Sequence, residues 1–297
     1  RWPLRHRVAF RPMGRVAVVT DSTGYLPPEK AAAAGVAVVP LQVVVDGRSF
    51  DEGTTFGPRE LSDALRRRVR VSTSRPSPRA FLDTYESAVA AGARGVVSVH
   101  LSGFLSGTAD AALLAAKDAP VPVEVVDSRS LGMGLGYAVL SAADVADRGG
   151  SFEEVADVAR RRAALSSAFF CLDTLEYLRR GGRIGAAQAL LGAALAVKPL
   201  LHLHEGEIQP LEKVRTFSRA VARLEELAVE RAGAGPVNMA VHHLDNPERA
   251  EALAQRLRTR LPALDELVVS EVGAVIGAHT GPGLLAVVVS PHPADAA

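Results

Sequence analysis

One cysteine, one tryptophan and four lysines in 297 residues close off several kinds of chemistry at once. The lone Cys171 allows no disulfide within the chain. Its apolar run, Ala168-Phe169-Phe170-Cys171-Leu172, makes it a small core residue suited to a reducing compartment, so a cytoplasmic location is expected. None of Lys30, Lys117, Lys198 and Lys213 follows a glycine, so the Gly-Lys-Ser/Thr loop that cradles a nucleotide phosphate is missing. No apolar stretch reaches the roughly 18 to 20 charge-free residues of a membrane span. The net charge is only +1 and the arginines are dispersed, which argues against a nucleic-acid partner. Arg1 to Gly14 is broken by Pro3 and Pro12 and lacks the apolar core of a signal peptide; it reads as a tail, with Met13 as the expected native start.

What is present is enough apolar residue, 48% of the chain, for two cores, with roughly 140 residues in each domain. The first half alternates β-branched runs (Val16 to Val19, Val36 to Val45, Val96 to Val99, Val123 to Val126) with helical stretches that open at Pro27-Pro28, Pro58 and Pro78. This βαβ order predicts a parallel sheet. Asp46 to Thr55 reads as a surface loop. The second half predicts strands at Ala168 to Asp173, Val197 to His204, Ile208 to Val214, Val237 to His242, Leu267 to Val272 and Leu284 to Ser290. Between them come helices Thr174 to Arg180, a helical run to Leu195, Ser218 to Ala232 and Pro247 to Leu257, giving a sheet with helices on one face.

The most informative stretch is Ser106-Gly107-Thr108, which lies between the strand Gly95 to Val99 and an alanine-rich helix from Ala109 to Lys117. A hydroxyl and two small residues at a helix start make an anion cradle, although on local sequence alone a serine there is more often a simple cap. Val71-Ser72-Thr73-Ser74-Arg75-Pro76 reads alone as a capping segment. Asp21-Ser22-Thr23-Gly24 and Asp127-Ser128-Arg129-Ser130 read as turn chemistry at a sheet's carboxyl edge. Gly132, Gly134 and Gly136 miss the dinucleotide spacing, because Tyr137 stands where the third glycine belongs. His279, in Gly277-Ala278-His279-Thr280-Gly281-Pro282-Gly283, is expected on a slim loop that can approach a ligand closely. Protonation is expected to favour its contact with a carboxylate. His202, His204, His242 and His243 lack matched metal-ligand partners.

Together these segments resemble the DegV family, the fatty-acid-binding proteins that serve as lipid-carrying subunits of bacterial fatty acid kinase. The motifs occur in family order from Val16 to Pro291: Val19-Thr20-Asp21-Ser22-Thr23, Thr73-Ser74-Arg75-Pro76, Leu105-Ser106-Gly107-Thr108, Val126-Asp127-Ser128 with Met133-Gly134-Leu135-Gly136, Leu175 to Ile184, Lys198-Pro199, Lys213-Val214-Arg215-Thr216, and Ala278 to Gly283. Arg75 and Gly103 depart from it, since members often carry glutamine and serine there.

The resemblance implies a two-domain α/β fold: a tail over residues 1–14, a parallel-sheet domain over 15–162, an α/β domain with a mixed or antiparallel sheet over 163–291, and a tail over 292–297. It implies a long-chain fatty acid held between the domains as ligand, with no cofactor or metal. The carboxylate falls to Thr73, Ser106 and His279, and the tunnel mouth and kinase coupling to Arg215. Ser74, Gly107, Thr108, Arg183 and Thr280 complete the expected rim, and Leu190-Leu191, Ala194-Leu195 and Val275-Ile276 offer an apolar wall. The chain is then not itself an enzyme. It presents the fatty acid to a separate ATP-binding kinase subunit, with no stable membrane insertion and at most transient membrane contact. The alternatives are a lipid carrier or sensor without a kinase, and a serine hydrolase using Ser106, Asp127 or Asp245, and His279. For the hydrolase, Gly103-Phe104-Leu105-Ser106-Gly107 has one residue too many before the serine.

Overall fold

Valine-rich runs buried on both sides can only be strands covered twice, and the first half of the chain is built on that arrangement. The structure, a computed structural model, describes residues 16–190 and 198–293. Met13 and the N-terminal tail, Leu191, Ala194, Leu195 and Val197, and residues 294–297 lie outside these. In chain order the elements are β1 (Val16–Asp21), α1 (Pro28–Ala33), β2 (Ala37–Val39), β3 (Gln42–Val45), β4 (Arg48–Asp51), α2 (Pro58–Arg66), β5 (Val71–Ser74), α3 (Pro78–Ala90), β6 (Gly95–His100), α4 (Thr108–Ala116), β7 (Val123–Asp127), α5 (Met133–Asp147) and α6 (Phe152–Leu165). There follow β8 (Ser167–Cys171), α7 (Glu176–Arg180), a 3-10 stretch (Gly185–Leu190), β9 (Lys198–His204), β10 (Glu207–Val214), α8 (Phe217–Ala232), β11 (Val237–His243), α9 (Pro247–Arg260), β12 (Leu264–Glu271), α10 (Ala274–Thr280) and β13 (Leu285–Pro291).

The first sheet has the order β2-β1-β6-β7 with every pair parallel, as the βαβ pattern predicts. Alternate residues of its strands face opposite helix layers. Ala17, Val19 and Val96 pack on Phe81 and Tyr85 of α3 and the alanines of α4, while Val18, Val97 and Val99 pack with Leu135 and Val139 of α5 and Val155 and Ala159 of α6. The second sheet is mixed, in the order β10-β9-β8-β13-β11-β12 with only β11 and β12 parallel. Val287 and Val289 point to α8 and α9, whereas Val288 packs with Met133 and Tyr137 of α5, so the face free of α8 and α9 meets the first half. Helix α6, opened by a Ser151/Glu154 capping box, passes through residues 162 and 163, where the division between domains is expected.

Several local expectations change. The run Val36 to Val45 is two strands in two sheets, broken at Pro40, which has no N–H for a ladder. The expected loop from Asp46 to Thr55 holds β4, turned back on β3 through Asp46 and Gly47, both at positive φ. The hydroxyl run Val71 to Ser74 is the strand β5, and the cap of α3 is Ser77, which accepts from Ala80 N–H at 3.2 Å. β4-β3-β5 therefore form a third, antiparallel sheet. His279 stands in the last turn of a helix rather than on a loop. The helical run expected to reach Leu195 is 3-10 as far as Leu190.

Asp21 caps the turn after β1. One carboxylate oxygen accepts from Thr23 N–H and Oγ1, and the other from Leu101 N–H while lying 3.0 Å from His100 Nδ1. His100 Nε2 meets Ser98 Oγ at 2.6 Å, and Ser98 accepts from Tyr85 OH. An Asp-His-Ser line thus exists, but all of it is buried and its serine is occupied, so it fixes the carboxyl ends of β1 and β6.

Candidate functional site

Beyond the carboxyl ends of β2 and β6, Leu41 and Leu101 form one wall of a pocket. Thr73, Ser74 and Arg75 from β5 and its end, Leu105 and Ser106 before α4, Leu178 and Arg183 around α7, and Val275, Ile276, His279 and Thr280 of α10 line the rest. Six of the nine site residues expected from sequence therefore share this pocket, Thr73, Ser74, Ser106, Arg183, His279 and Thr280, together with Val275 and Ile276 of the expected apolar wall. Gly107 and Thr108 stand just behind it, and Arg215 is exposed after the end of β10, outside the lining.

Thr73 Oγ1 lies 2.7 Å from His279 Nε2. The other ring nitrogen, Nδ1, is buried without a hydrogen-bond partner among the described residues. Gly181 backs the ring so closely that a Cβ there would sit 2.0 Å from Nδ1. Burial, and then the positive charge of Arg183, lower the His279 pKa to about 4, so at neutral pH the ring is uncharged.

Ser106 does not cap α4, whose N-cap is Gly107 and has no side-chain cap; its hydroxyl is 2.8 Å from that of Thr108. Arg183 is fixed by backbone carbonyls, with Nε donating to Leu105 O at 3.0 Å and Nη1 to Gly181 O at 2.7 Å. Arg75 lies over Gly107, where a Cβ would come within 2.4 Å of its Nη1. Thr280 Oγ1 donates to Ile276 O within its own helix. The pocket thus offers the hydroxyls of Thr73, Ser74 and Ser106, an imidazole and two guanidinium groups on an otherwise leucine, isoleucine and valine wall, a composition suited to an anion with an apolar body.

The wall continues. Leu131, Ile208, Ile276 and Thr280 also border a second cavity, whose other walls include Ala168, Phe170, Leu284, Ala286 and Val288. His242 closes one side without offering a polar atom: Nε2 accepts from Met133 N–H at 3.0 Å and Nδ1 meets Ser270 Oγ at 2.9 Å. Burial lowers its pKa to about 4. Sequence reasoning missed Leu131 and Ile208 as site residues, because isolated apolar positions carry no motif; Gly181 lies within the motif Leu175 to Ile184, but its closeness to His279 is set by the fold.

A hydrolase triad is not assembled, since His279 Nδ1 has no carboxylate where the orienting acid would stand. Among the described residues no group of His, Cys, Asp and Glu could hold a metal, and no helix is long and apolar enough to cross a membrane.

Known proteins share this architecture. A DegV domain-containing protein of Streptomyces coelicolor is 60% identical over 275 residues, covering 93% of this chain and 98% of that protein. A DegV family protein of Thermus thermophilus described by its fatty acid binding superposes with a TM-score of 0.89 at 35% identity, covering 93% of this chain and 99% of its own. DegV of Bacillus subtilis, described as a fatty acid binding protein, gives 0.87 at 32% identity and covers 94% and 99%. The model of the family described as "Uncharacterised protein, DegV family" matches residues 15–292, everything from β1 to β13. In sequence and in fold alike, the chain belongs to the DegV family.

Proposed function

We propose that this chain binds a long-chain fatty acid, with its carboxylate among Thr73, Ser106 and His279 and its acyl chain in the apolar cavity behind them, and presents that carboxylate to a separate ATP-binding kinase subunit. The observation that carries the reading is the shared wall of the two cavities, polar at one end and apolar at the other. Relatives described as fatty acid binding proteins support it. A neutral His279 with its proton on Nε2 donates to Thr73 Oγ1 and leaves the Thr73 hydroxyl proton for the carboxylate, and Ser106 supplies a second donor. At roughly 0.8 kcal/mol per buried methylene, an acyl chain of about 14 carbons gains on the order of 10 kcal/mol before entropy costs.

In the transfer, a carboxylate oxygen attacks the γ-phosphorus of ATP on the partner; the new O–P bond gives acyl phosphate and ADP leaves. This chain supplies no nucleophile and acts by positioning and by charge, for which Arg183 at the pocket wall is suited. Lipid extraction and mass spectrometry of the purified protein test the binding half. The expected result is a co-purified long-chain fatty acid; protein that is lipid-free and takes up neither oleate nor palmitate contradicts it. Incubation with ATP and the cognate kinase tests the second half, and bound fatty acid that is never phosphorylated would favour a carrier or sensor.

A further inference from the structure

Helix α10 is held at both ends by the small antiparallel sheet. At its C-terminal end His279 meets Thr73 of β5. At its N-terminal end, Glu52, which directly follows β4 at the sheet's opposite edge, turns a carboxylate that is 3% exposed onto the first turn. Glu52 Oε1 accepts from Val275 N–H at 2.8 Å and from Tyr25 OH at 3.0 Å, and Oε2 accepts from Ser22 Oγ. Tyr25 OH itself accepts from Ile276 N–H at 3.3 Å. The helix has no side-chain cap of its own, because Gly273 occupies the N-cap, and a Cβ there would lie 2.3 Å from Glu52 Oε1.

We infer that Glu52 is a positioning residue for the carboxylate-binding site: by capping α10 in trans it sets where His279 holds the Thr73 hydroxyl that faces the ligand. This rests on the proposed fatty acid function. A free first turn of a helix is costly, and α10 is only seven residues, about 10 Å, so a tilt at Val275 is delivered almost undamped to His279. Four of the seven residues, Val275, Ile276, His279 and Thr280, line the pocket, and none of them contributes the cap. The buried carboxylate is otherwise hard to account for, since burial raises its pKa and a hydrophobic residue would fill the same space without that cost.

The test compares oleate with oleyl alcohol, a ligand of the same chain without the charged headgroup, on wild type, Glu52→Ala, Glu52→Gln and Tyr25→Phe. Glu52→Ala is expected to weaken oleate by about tenfold, the scale of losing a cap, and to leave oleyl alcohol within about twofold. It should also shift the His279 imidazole resonances. Glu52→Gln keeps an acceptor for Val275 N–H and should restore most of the oleate affinity. Tyr25→Phe should show a smaller loss in the same direction, and it keeps the question answerable if Glu52→Ala fails to fold. Equal loss of both ligands, or oleate affinity and His279 resonances unchanged in folded variants, overturns the inference. Wild-type protein that binds oleate no better than oleyl alcohol counts instead against the carboxylate site itself.

Discussion

Thr73 and His279, 206 residues apart in sequence, meet at 2.7 Å between a strand hydroxyl and a helix imidazole. That contact joins the small sheet to α10 at a polar pocket that shares a wall with a second, apolar cavity. It also determines which atoms are left to receive a ligand, because a hydroxyl that accepts from imidazole keeps its own proton to donate.

Removing either hydroxyl should therefore weaken carboxylate binding without unfolding the chain. For Thr73→Ala and Ser106→Ala the expected loss is about 1–3 kcal/mol each, the cost of a charged oxygen short of one donor. Displacement of a fluorescent fatty acid measures it, with far-UV circular dichroism as the control. Two folded variants with wild-type affinity would move the anion elsewhere.

Gly181→Ala should be nearly as harmful as a substitution in the site. Gly181 has φ −77°, so alanine fits the backbone there, and the added methyl carbon meets His279 Nδ1 at 2.0 Å. The ring has to leave Thr73 or α10 has to shift, at about 1–3 kcal/mol for overpacking. The expected outcome is a folded protein with oleate affinity reduced at least about fivefold; unchanged affinity would show that the ring's position is unimportant.

The pH dependence has a defined sign. His242 and His279 are held at about 4 by burial, with Arg183 adding to the shift at His279, against about 6.5 in an unfolded chain. Between these values the unfolded chain binds more protons, so stability from the neutral rings is complete above about pH 6.5 and is lost as pH falls toward 4. Each ring contributes on the order of 2–3 kcal/mol. Urea midpoints at pH 7.5 and 5 should separate for wild type and separate less for His279→Gln; equal separation would mean that His279 titrates normally.

Arg215 is expected to act on the partner rather than on the lipid. It is exposed, and Glu212, the nearby acid that could have neutralised it, is paired with Arg223 at 2.9 Å. Arg215→Ala should retain bound fatty acid and lose acyl phosphate formation when kinase and ATP are supplied. Normal transfer makes it an ordinary surface arginine, and loss of lipid would assign it to the carboxylate.

The parts of this molecule legible in sequence are those where burial and local chemistry agree. Val16 to Val19 and Val96 to Val99 are buried on both faces, and Pro28, Pro58 and Pro78 each stand at the first position of a helix. The small sheet was hidden because β5 is Val-Ser-Thr-Ser and β4 is Arg-Ser-Phe-Asp, compositions that suit turns and caps as well as strands. Glu52, among charges and glycines, looks solvated until the fold lays α10 over it. His279 could be picked out by its glycines, but its helix could not, because seven residues with glycine on either side carry too little periodicity.

The most direct test of the central claim is the ¹³C NMR signal of oleate labelled at its carboxyl carbon, bound to wild type and to single variants. A carboxylate held by Thr73, Ser106 and His279 predicts one bound resonance that shifts in Thr73→Ala, Ser106→Ala and His279→Gln and stays in place in Arg215→Ala. A resonance indifferent to the first three substitutions, or moved only by the fourth, would contradict it.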